Sequence, residues 1–86
     1  MRYYFRLTDG EVYNDHEGAD LADVHAAEDE ATRIATEWLR DNPETFLQEG
    51  ALRVQILDAH SELVATIRVA IERVDNVVQL RKGGAR

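Results

Sequence analysis

The chain has 86 residues, no cysteine and a net charge of −7, with 17 acidic residues against 10 lysines and arginines. This length predicts one domain with a thin core, and the lack of cysteine excludes disulfides and thiolate metal sites. No segment has the pattern of a signal peptide or the length of an apolar membrane span, so we expect a cytoplasmic protein without membrane contact.

The distribution of charge argues against nucleic acid as a partner. Nine acidic residues and no lysine or arginine lie between Asp9 and Glu30, and the only basic cluster is Arg81, Lys82 and Arg86. A nucleic-acid binder concentrates positive charge on its fold, because the phosphate backbone dominates affinity. We therefore expect neither nucleic acid nor an anionic membrane as a partner.

The N-terminal residues predict a β-hairpin. Residues 2–8 alternate between apolar and polar side chains, which is typical of a half-buried strand. The dipeptide at 9–10, Asp-Gly, predicts a type I′ turn, in which both residues have positive φ. Residues 11–14 then form a short second strand, and the pattern leaves open whether Val12 or Tyr13 points inward.

Residues 23–40 predict one long amphipathic helix. Asp20 or Asp23 can cap its start by accepting a backbone N–H bond, and the dipeptide at 42–43, Asn-Pro, ends it. Three alanines in its apolar stripe would let the helix lie close to a sheet. At 100° per residue, the stripe consists of Val24, Ala27, Ala31, Ile34, Ala35, Trp38 and Leu39.

The second half predicts a short helical turn and two strands. Pro43 to Gly50 suits one helical turn that covers an edge of the core with Phe46 and Leu47, and residues 52–58 and 63–69 alternate as strands.

Beyond residue 69 the alternation fails. Residues 70–80 fit helical spacing better, although many are β-branched, and residues 81–86 are expected to be a disordered tail.

These elements predict an α+β fold of order ββαββ. We expect a four-stranded antiparallel sheet with the long helix packed on one face, a single domain over residues 1–80, and a possible short C-terminal helix. The strands at 2–8 and 63–69 are the longest and most apolar, so we expect them side by side in the middle of the sheet.

Several short motifs stand out in the N-terminal part of the chain. They are Arg2-Tyr3-Tyr4-Phe5, Asp9-Gly10, Asp15-His16-Glu17-Gly18, Asp20-Leu21-Ala22-Asp23, and Ala26-Ala27 with Glu30-Ala31. Together they resemble a family of small bacterial proteins known only as a domain of unknown function. The resemblance covers roughly residues 2–70 and implies a cytoplasmic bacterial protein with no established activity, so it carries no functional residues over. The segment after Val69 is longer than the family pattern.

The ββαβ beginning is also similar in topology to the partial double-stranded-RNA-binding-like fold of HicB-type antitoxins. The proline- and glycine-rich loop that precedes the helix in those proteins is absent here, so the similarity concerns topology only. An antitoxin-like regulator is therefore one alternative, and it predicts a toxin gene beside this one.

The acidic loop offers candidate metal ligands. Asp15, Glu17, Asp20 and His25 supply carboxylate and imidazole groups at short spacing, which hard cations favour. The EF-hand pattern and the H-x-x-x-H pattern are both missing. A solvated loop that also caps the helix is the favoured interpretation, and a metal- or ligand-binding protein is the alternative.

Catalytic chemistry finds no support in the sequence. Ser61 is the only serine, its neighbours His60 and Glu62 share its turn, and no glycine-rich phosphate loop exists. Neighbours in a turn rarely converge as a triad does. We expect a protein that is not an enzyme and takes no cofactor.

The uncovered face of the sheet is the best candidate for function. One long helix covers one face only, and tyrosine and arginine, which are enriched at interface hot spots, alternate onto the other. The favoured hypothesis is a non-catalytic module that binds a protein partner or itself, as a homodimer, against the alternative of an ordinary solvated face. The candidate residues are Tyr4, Arg6, Arg53, Gln55, Thr66 and Arg68, with Leu57 and Val64 beside them.

Overall fold

The computed structural model describes residues 1–74, and the predicted α+β class is confirmed. Within these residues no helix combines the length and the apolarity needed to cross a bilayer. The elements in chain order are β1 (Arg2–Thr8), β2 (Val12–Asn14), β3 (Ala19–Asp20), α1 (Val24–Asp41), α2 (Pro43–Glu49), β4 (Ala51–Leu57) and β5 (Leu63–Ala70).

The strands form one antiparallel sheet in the order β2-β1-β4-β5, and β3 pairs with the first residues of β1. The expectation that the strand at 63–69 lies beside β1 was wrong, because β4 takes that place and β5 lies at the edge. The physical reason is burial. The apolar side chains Leu52, Val54 and Ile56 of β4 are fully buried, whereas those of β5 remain partly or largely exposed.

Helix α1 lies on the sheet through its alanines. Ala27, Ala31 and Ala35 are buried, and their small side chains bring the helix backbone close to the strands. Of the two proposed caps, Asp23 is the one used, since its carboxylate accepts the Ala26 N–H at 3.0 Å. The helix ends before Asn42, and the predicted position of the helix is confirmed to within one residue.

The core lies on one side of the sheet only. Its strand residues come from the predicted inward positions of β1 and β4, and Ile34, Trp38, Leu39 and Phe46 pack against them. The predicted short turn after α1 is present as helix α2, but Leu47 is 59% exposed and does not cover the core as expected. The buried residues are Tyr3, Phe5, Leu7, Ala27, Ala31, Ala35, Leu52, Val54 and Ile56.

The first hairpin is present, but its turn differs from the predicted type I′ turn. The loop has three residues, since Thr8 pairs with Val12, and among residues 1–74 Ser61 is the only non-glycine residue with positive φ. Only Gly10 of the dipeptide, at φ 101°, is therefore left-handed. Of the two open orientations for β2, Tyr13 faces the helix side, since it pairs with the inward Leu7.

Asp9 is buried because it bridges the hairpin to the helix. The residue is 3% exposed, and its carboxylate accepts the Trp38 indole N–H at 2.7 Å and the Glu11 backbone N–H at 3.3 Å. The Tyr13 ring packs against Trp38 with the centroids 4.9 Å apart. A buried carboxylate is tolerated here because both of its oxygens have donors.

The predicted helix over 70–80 is contradicted where the structure describes it. Ala70 is the last residue of β5, and residues 71–74 form no helix. The Ile71 N–H instead donates to the Gly50 carbonyl at 2.9 Å, which continues the pairing beside β4. Residues 75–80 of that prediction, and the predicted tail at 81–86, lie outside the described residues.

We predict that Ala31→Leu lowers the free energy of unfolding by about 1–3 kcal/mol, because the larger side chain forces α1 away from the sheet. The neighbouring Thr32 is exposed, so Thr32→Leu is the matched control and should stay within about 0.5 kcal/mol. Urea unfolding measures both. An equal loss in the two variants would contradict the close contact of helix and sheet.

We predict that Trp38→Phe lowers the free energy of unfolding by about 1.5–3 kcal/mol, because the buried Asp9 carboxylate loses its indole donor. Tyr13→Phe keeps the ring against Trp38 and removes only an exposed hydroxyl, so its unfolding midpoint should hardly move. Urea unfolding of the two variants checks this, and a Trp38→Phe protein as stable as the parent would refute the bridge.

Candidate interaction face

The open face is the surface of the sheet turned away from α1. The residues that alternate with the buried positions of β1, β4 and β5 point to this side. The structure places all six predicted interface residues on it, and the strand register brings them together. The open face is defined by Tyr4, Arg6, Arg53, Gln55, Thr66 and Arg68.

Arg6 lies at the centre of the open face, held between two amide side chains. Its Nε donates to Asn14 Oδ1 and one terminal nitrogen donates to Gln55 Oε1, each at 3.2 Å. The pairing is dictated by register, since Arg6 is opposite Asn14 on β2 and opposite Gln55 on β4. Amide acceptors orient the guanidinium without neutralising it, so its charge remains available to a ligand.

Arg53 and Arg68 are directly opposite each other across β4 and β5. Side chains at such positions have Cβ atoms about 4.5–5.5 Å apart, and like charges there are destabilising. The four ion pairs among residues 1–74 involve Arg2, His25, Arg33 and Arg40. The three arginines of the open face therefore have no carboxylate within 4.0 Å in the described part of the chain.

A cleft of about 350 Å³ lies at one end of the open face. Tyr4 and Leu57, which are paired in the sheet, contribute to its lining. Gly18 fits against the Tyr4 ring because a Cβ at this position, with φ 74°, would lie 2.9 Å from the ring carbons. The remaining lining residues are Phe5, Arg6, Asn14, Asp15, His16, Asp58, Ala59 and Ser61.

The hairpin between β4 and β5 makes a well-ordered wall of this cleft. The Asp58 carboxylate accepts the backbone N–H groups of His60 at 2.8 Å and Glu62 at 3.0 Å. These bonds, first that from Glu62, lower the pKa of Asp58 below its ordinary value. Ser61 takes the left-handed conformation, φ 63°, that the turn requires. Asp58 therefore stays ionised and fixed at the rim of the open face.

Of the four predicted metal ligands, Asp15, Asp20 and His25 make local side-chain contacts, and Glu17 takes part through its backbone. Asp15 accepts the backbone N–H groups of Glu17 and Gly18, both at 3.1 Å, and Asp20 lies 3.6 Å from Arg2. His25 is beside Glu28 on the outer side of α1. No three histidine or carboxylate side chains within residues 1–74 converge in a way that could hold a metal ion.

His16 and Ser61, which are distant in the sequence, both line the cleft. Among residues 1–74 no hydrogen bond joins the Ser61 hydroxyl to an imidazole. A nucleophilic serine needs a base within hydrogen-bond reach. The described geometry therefore supplies no activated nucleophile at this cleft.

A second polar cluster, at Asp9 and Trp38, was missed at the level of sequence. Tyr13 belongs to it, and its hydroxyl donates to Glu11 Oε1 at 3.1 Å, which, with the nearby carboxylates, raises the pKa of Tyr13 above its ordinary value. Buried side-chain polar atoms of residues 1–74 all have hydrogen-bond partners. We therefore assign this cluster to stability. No local pattern in the sequence signals it, because its two ends are 29 residues apart.

We predict that replacing either arginine of the opposed pair stabilises the free protein. Arg53→Gln and Arg68→Gln should each raise the free energy of unfolding by roughly 0.2–1 kcal/mol at low salt, and the gain should shrink as salt screens the repulsion. The double variant should gain less than the sum, since one substitution already removes the repulsion. Urea unfolding gives this double-mutant cycle, and strictly additive gains would contradict it.

Comparison with known proteins identifies the family. A family model described as a domain of unknown function (DUF6894) matches residues 2–70, from the first residue of β1 to the last of β5. Neither the curated proteins nor the solved structures gave a significant match. The predicted resemblance to a family of unknown function is confirmed. The match spans most of the chain, and the protein belongs to the DUF6894 family.

Proposed function

We propose that this protein is a non-catalytic protein-interaction module whose open face binds a partner protein. The observation that carries the proposal is that no described element covers this face, while both α1 and α2 contribute to the core on the opposite side. Arg53, Thr66 and Arg68 are exposed on it. Its setting in a bacterial cytoplasm rests on the sequence analysis alone.

The chemistry of the open face supports binding better than that of other surfaces. Tyrosine and arginine combine apolar area with directed donors, which is why they are common at hot spots. Arg6 is already oriented by Asn14 and Gln55, so less side-chain entropy is lost when a partner arrives. The sheet beneath is rigid, and the cleft beside Tyr4 offers a concave end for an anchoring side chain.

The size of the face bears on the kind of complex. Three strands of seven or eight residues and the three-residue β2, about 4.8 Å apart, span roughly 400 Å², whereas a standard interface uses about 800 Å² per partner. The exposed Leu63 and Val64 at the β5 edge extend the contact area. We therefore expect a transient complex that includes the rim of the sheet.

The alternative functions receive less support. A cation-binding role for the acidic loop needs free carboxylates, yet Asp15, Asp20 and Asp23 each hold a backbone or arginine partner. An antitoxin-like regulator is a special case of the proposal, since it also acts by binding a protein. The identity of the neighbouring gene distinguishes that case.

A photo-cross-linking amino acid at position 66 tests the proposal. Thr66 lies on the open face, and Glu37, exposed on α1, is the matched control position. In the source cells we expect a defined cross-linked adduct from position 66 that is absent from position 37, and we expect Tyr4→Ala with Arg68→Ala to weaken it. The same adducts at both positions, or none at position 66, would overturn the proposal.

A further inference from the structure

We propose that the occupant of the open face is an acidic segment of another protein, and this inference rests on the proposed function. Its carboxylates meet the guanidinium groups of Arg53 and Arg68, with Arg6 beside them, and an apolar side chain enters the cleft that Tyr4 and Leu57 help to line.

Charge is segregated between the sheet and the rest of the chain. The whole chain is acidic, with a net charge of −7, yet β1, β4 and β5 each contain arginine, and none of β1, β2, β4 and β5 contains aspartate or glutamate. A positively charged sheet face on a protein of negative net charge is a complementary surface for an anionic partner. The open face therefore selects its partner by charge.

The opposed arginines are a site for carboxylate. Two guanidinium groups across β4 and β5 repel each other in the free protein, and a carboxylate placed between Arg53 and Arg68 removes that repulsion. An ionised carboxylate has two oxygens with about four acceptor sites, so one acidic side chain can accept hydrogen bonds from both guanidinium groups. Arg6 is opposite Gln55, two residues from Arg53 along β4, and its guanidinium is already oriented by the Gln55 amide. It offers a second binding position for a carboxylate.

The same charges argue against other occupants from this chain. A second copy stacked face to face would place the three arginines of each copy against those of the other. The segment 75–86 of the chain contains three basic residues and one acidic residue, so it too has the sign of the face. Like charges brought together across an interface cost several kcal/mol. Charge therefore disfavours both face-to-face self-association and docking of the 75–86 segment, and an acidic segment of another protein is the occupant that we propose.

Carboxylates at the rim distinguish a protein segment from nucleic acid. Asp15 and Asp58 line the cleft at one end, and Glu49 lines a hollow together with Arg53 at the other. A nucleic-acid strand carries phosphate charges without interruption and would meet these carboxylates. A peptide can place an apolar residue at the cleft and acidic residues at the arginines, avoiding the repulsion.

The spacing of the face defines the segment. Leu57 and Arg53 are four positions apart on β4, which is about 13 Å along an extended strand. An extended partner segment therefore carries its apolar side chain about four residues from the acidic residues that meet Arg53 and Arg68. We expect this pattern in the partner sequence recovered from position 66.

Amide NMR titration of the full chain tests the inference. The peptide used has a leucine four residues from a pair of glutamates, and its control has glutamines instead. We expect the glutamate peptide to shift the amides of residues 6, 53, 57 and 68 and to bind about tenfold more tightly than its control. Equal affinities of the two peptides would overturn the inference.

A charge-matched pair of variants localises the effect. Arg53→Gln with Arg68→Gln should weaken binding of the glutamate peptide at least about tenfold, whereas Arg33→Gln with Arg40→Gln changes net charge equally on α1 and should leave binding intact. If both double variants lost peptide affinity equally, the effect would come from net charge alone, and the proposed site would be overturned. A dispersed amide spectrum confirms that each variant is folded.

The cross-linked adduct separates failure of this inference from failure of the proposed function. A partner segment of net negative charge at position 66 supports the inference. A neutral or basic segment, a second copy of this chain, or tighter binding of an oligothymidylate than of the glutamate peptide would overturn it. An adduct with a non-acidic protein contradicts this inference but supports the proposed interaction module. The absence of any adduct contradicts both proposals.

Discussion

The contact between the alanines of α1 and the sheet is the constraint on which the rest of this structure depends. Ala27, Ala31 and Ala35 have no side chain beyond Cβ, so the helix lies close against the sheet, mainly on β4 and β5, and completes a core on one side. A chain this short has apolar residues for a single such layer. The other side of the sheet is left to water or to a partner, and the function proposed here follows from that asymmetry.

If the open face binds a partner as proposed, its arginines lower the stability of the free protein in exchange for recognition. Placing Arg53 opposite Arg68 costs the free protein stability, although only a fraction of what the core contributes. Arg6, by contrast, is held by neutral amides that leave its charge intact. Sites that break a local rule of sheet design are where function is expected, because a gain on binding can offset the cost. This arrangement is the one expected if the open face binds the carboxylates of an acidic partner.

Two features of the structure depend on contacts between residues that are distant in the chain. The Asp-Gly dipeptide marks a hairpin correctly, but its loop has three residues, and Asp9 within that loop accepts a hydrogen bond from Trp38 of the helix. The cleft at Tyr4 is likewise assembled from three separate segments of the chain. Neither contact has a periodic signature, so neither could be found without coordinates.

Local sequence by itself determined the long helix, the main strands and their faces, because hydropathy with a period of two or 3.6 residues is a property of neighbouring residues. It therefore placed α1, named its buried stripe, and put all six candidate residues on one side of the sheet. It missed the two-residue β3 and wrongly predicted a helix from residue 70. Tertiary structure alone decided that β4 rather than β5 lies beside β1, and that Arg53 faces Arg68. Strand order and register depend on which distant surfaces bury the most apolar area together, and that competition is settled only when the whole chain packs.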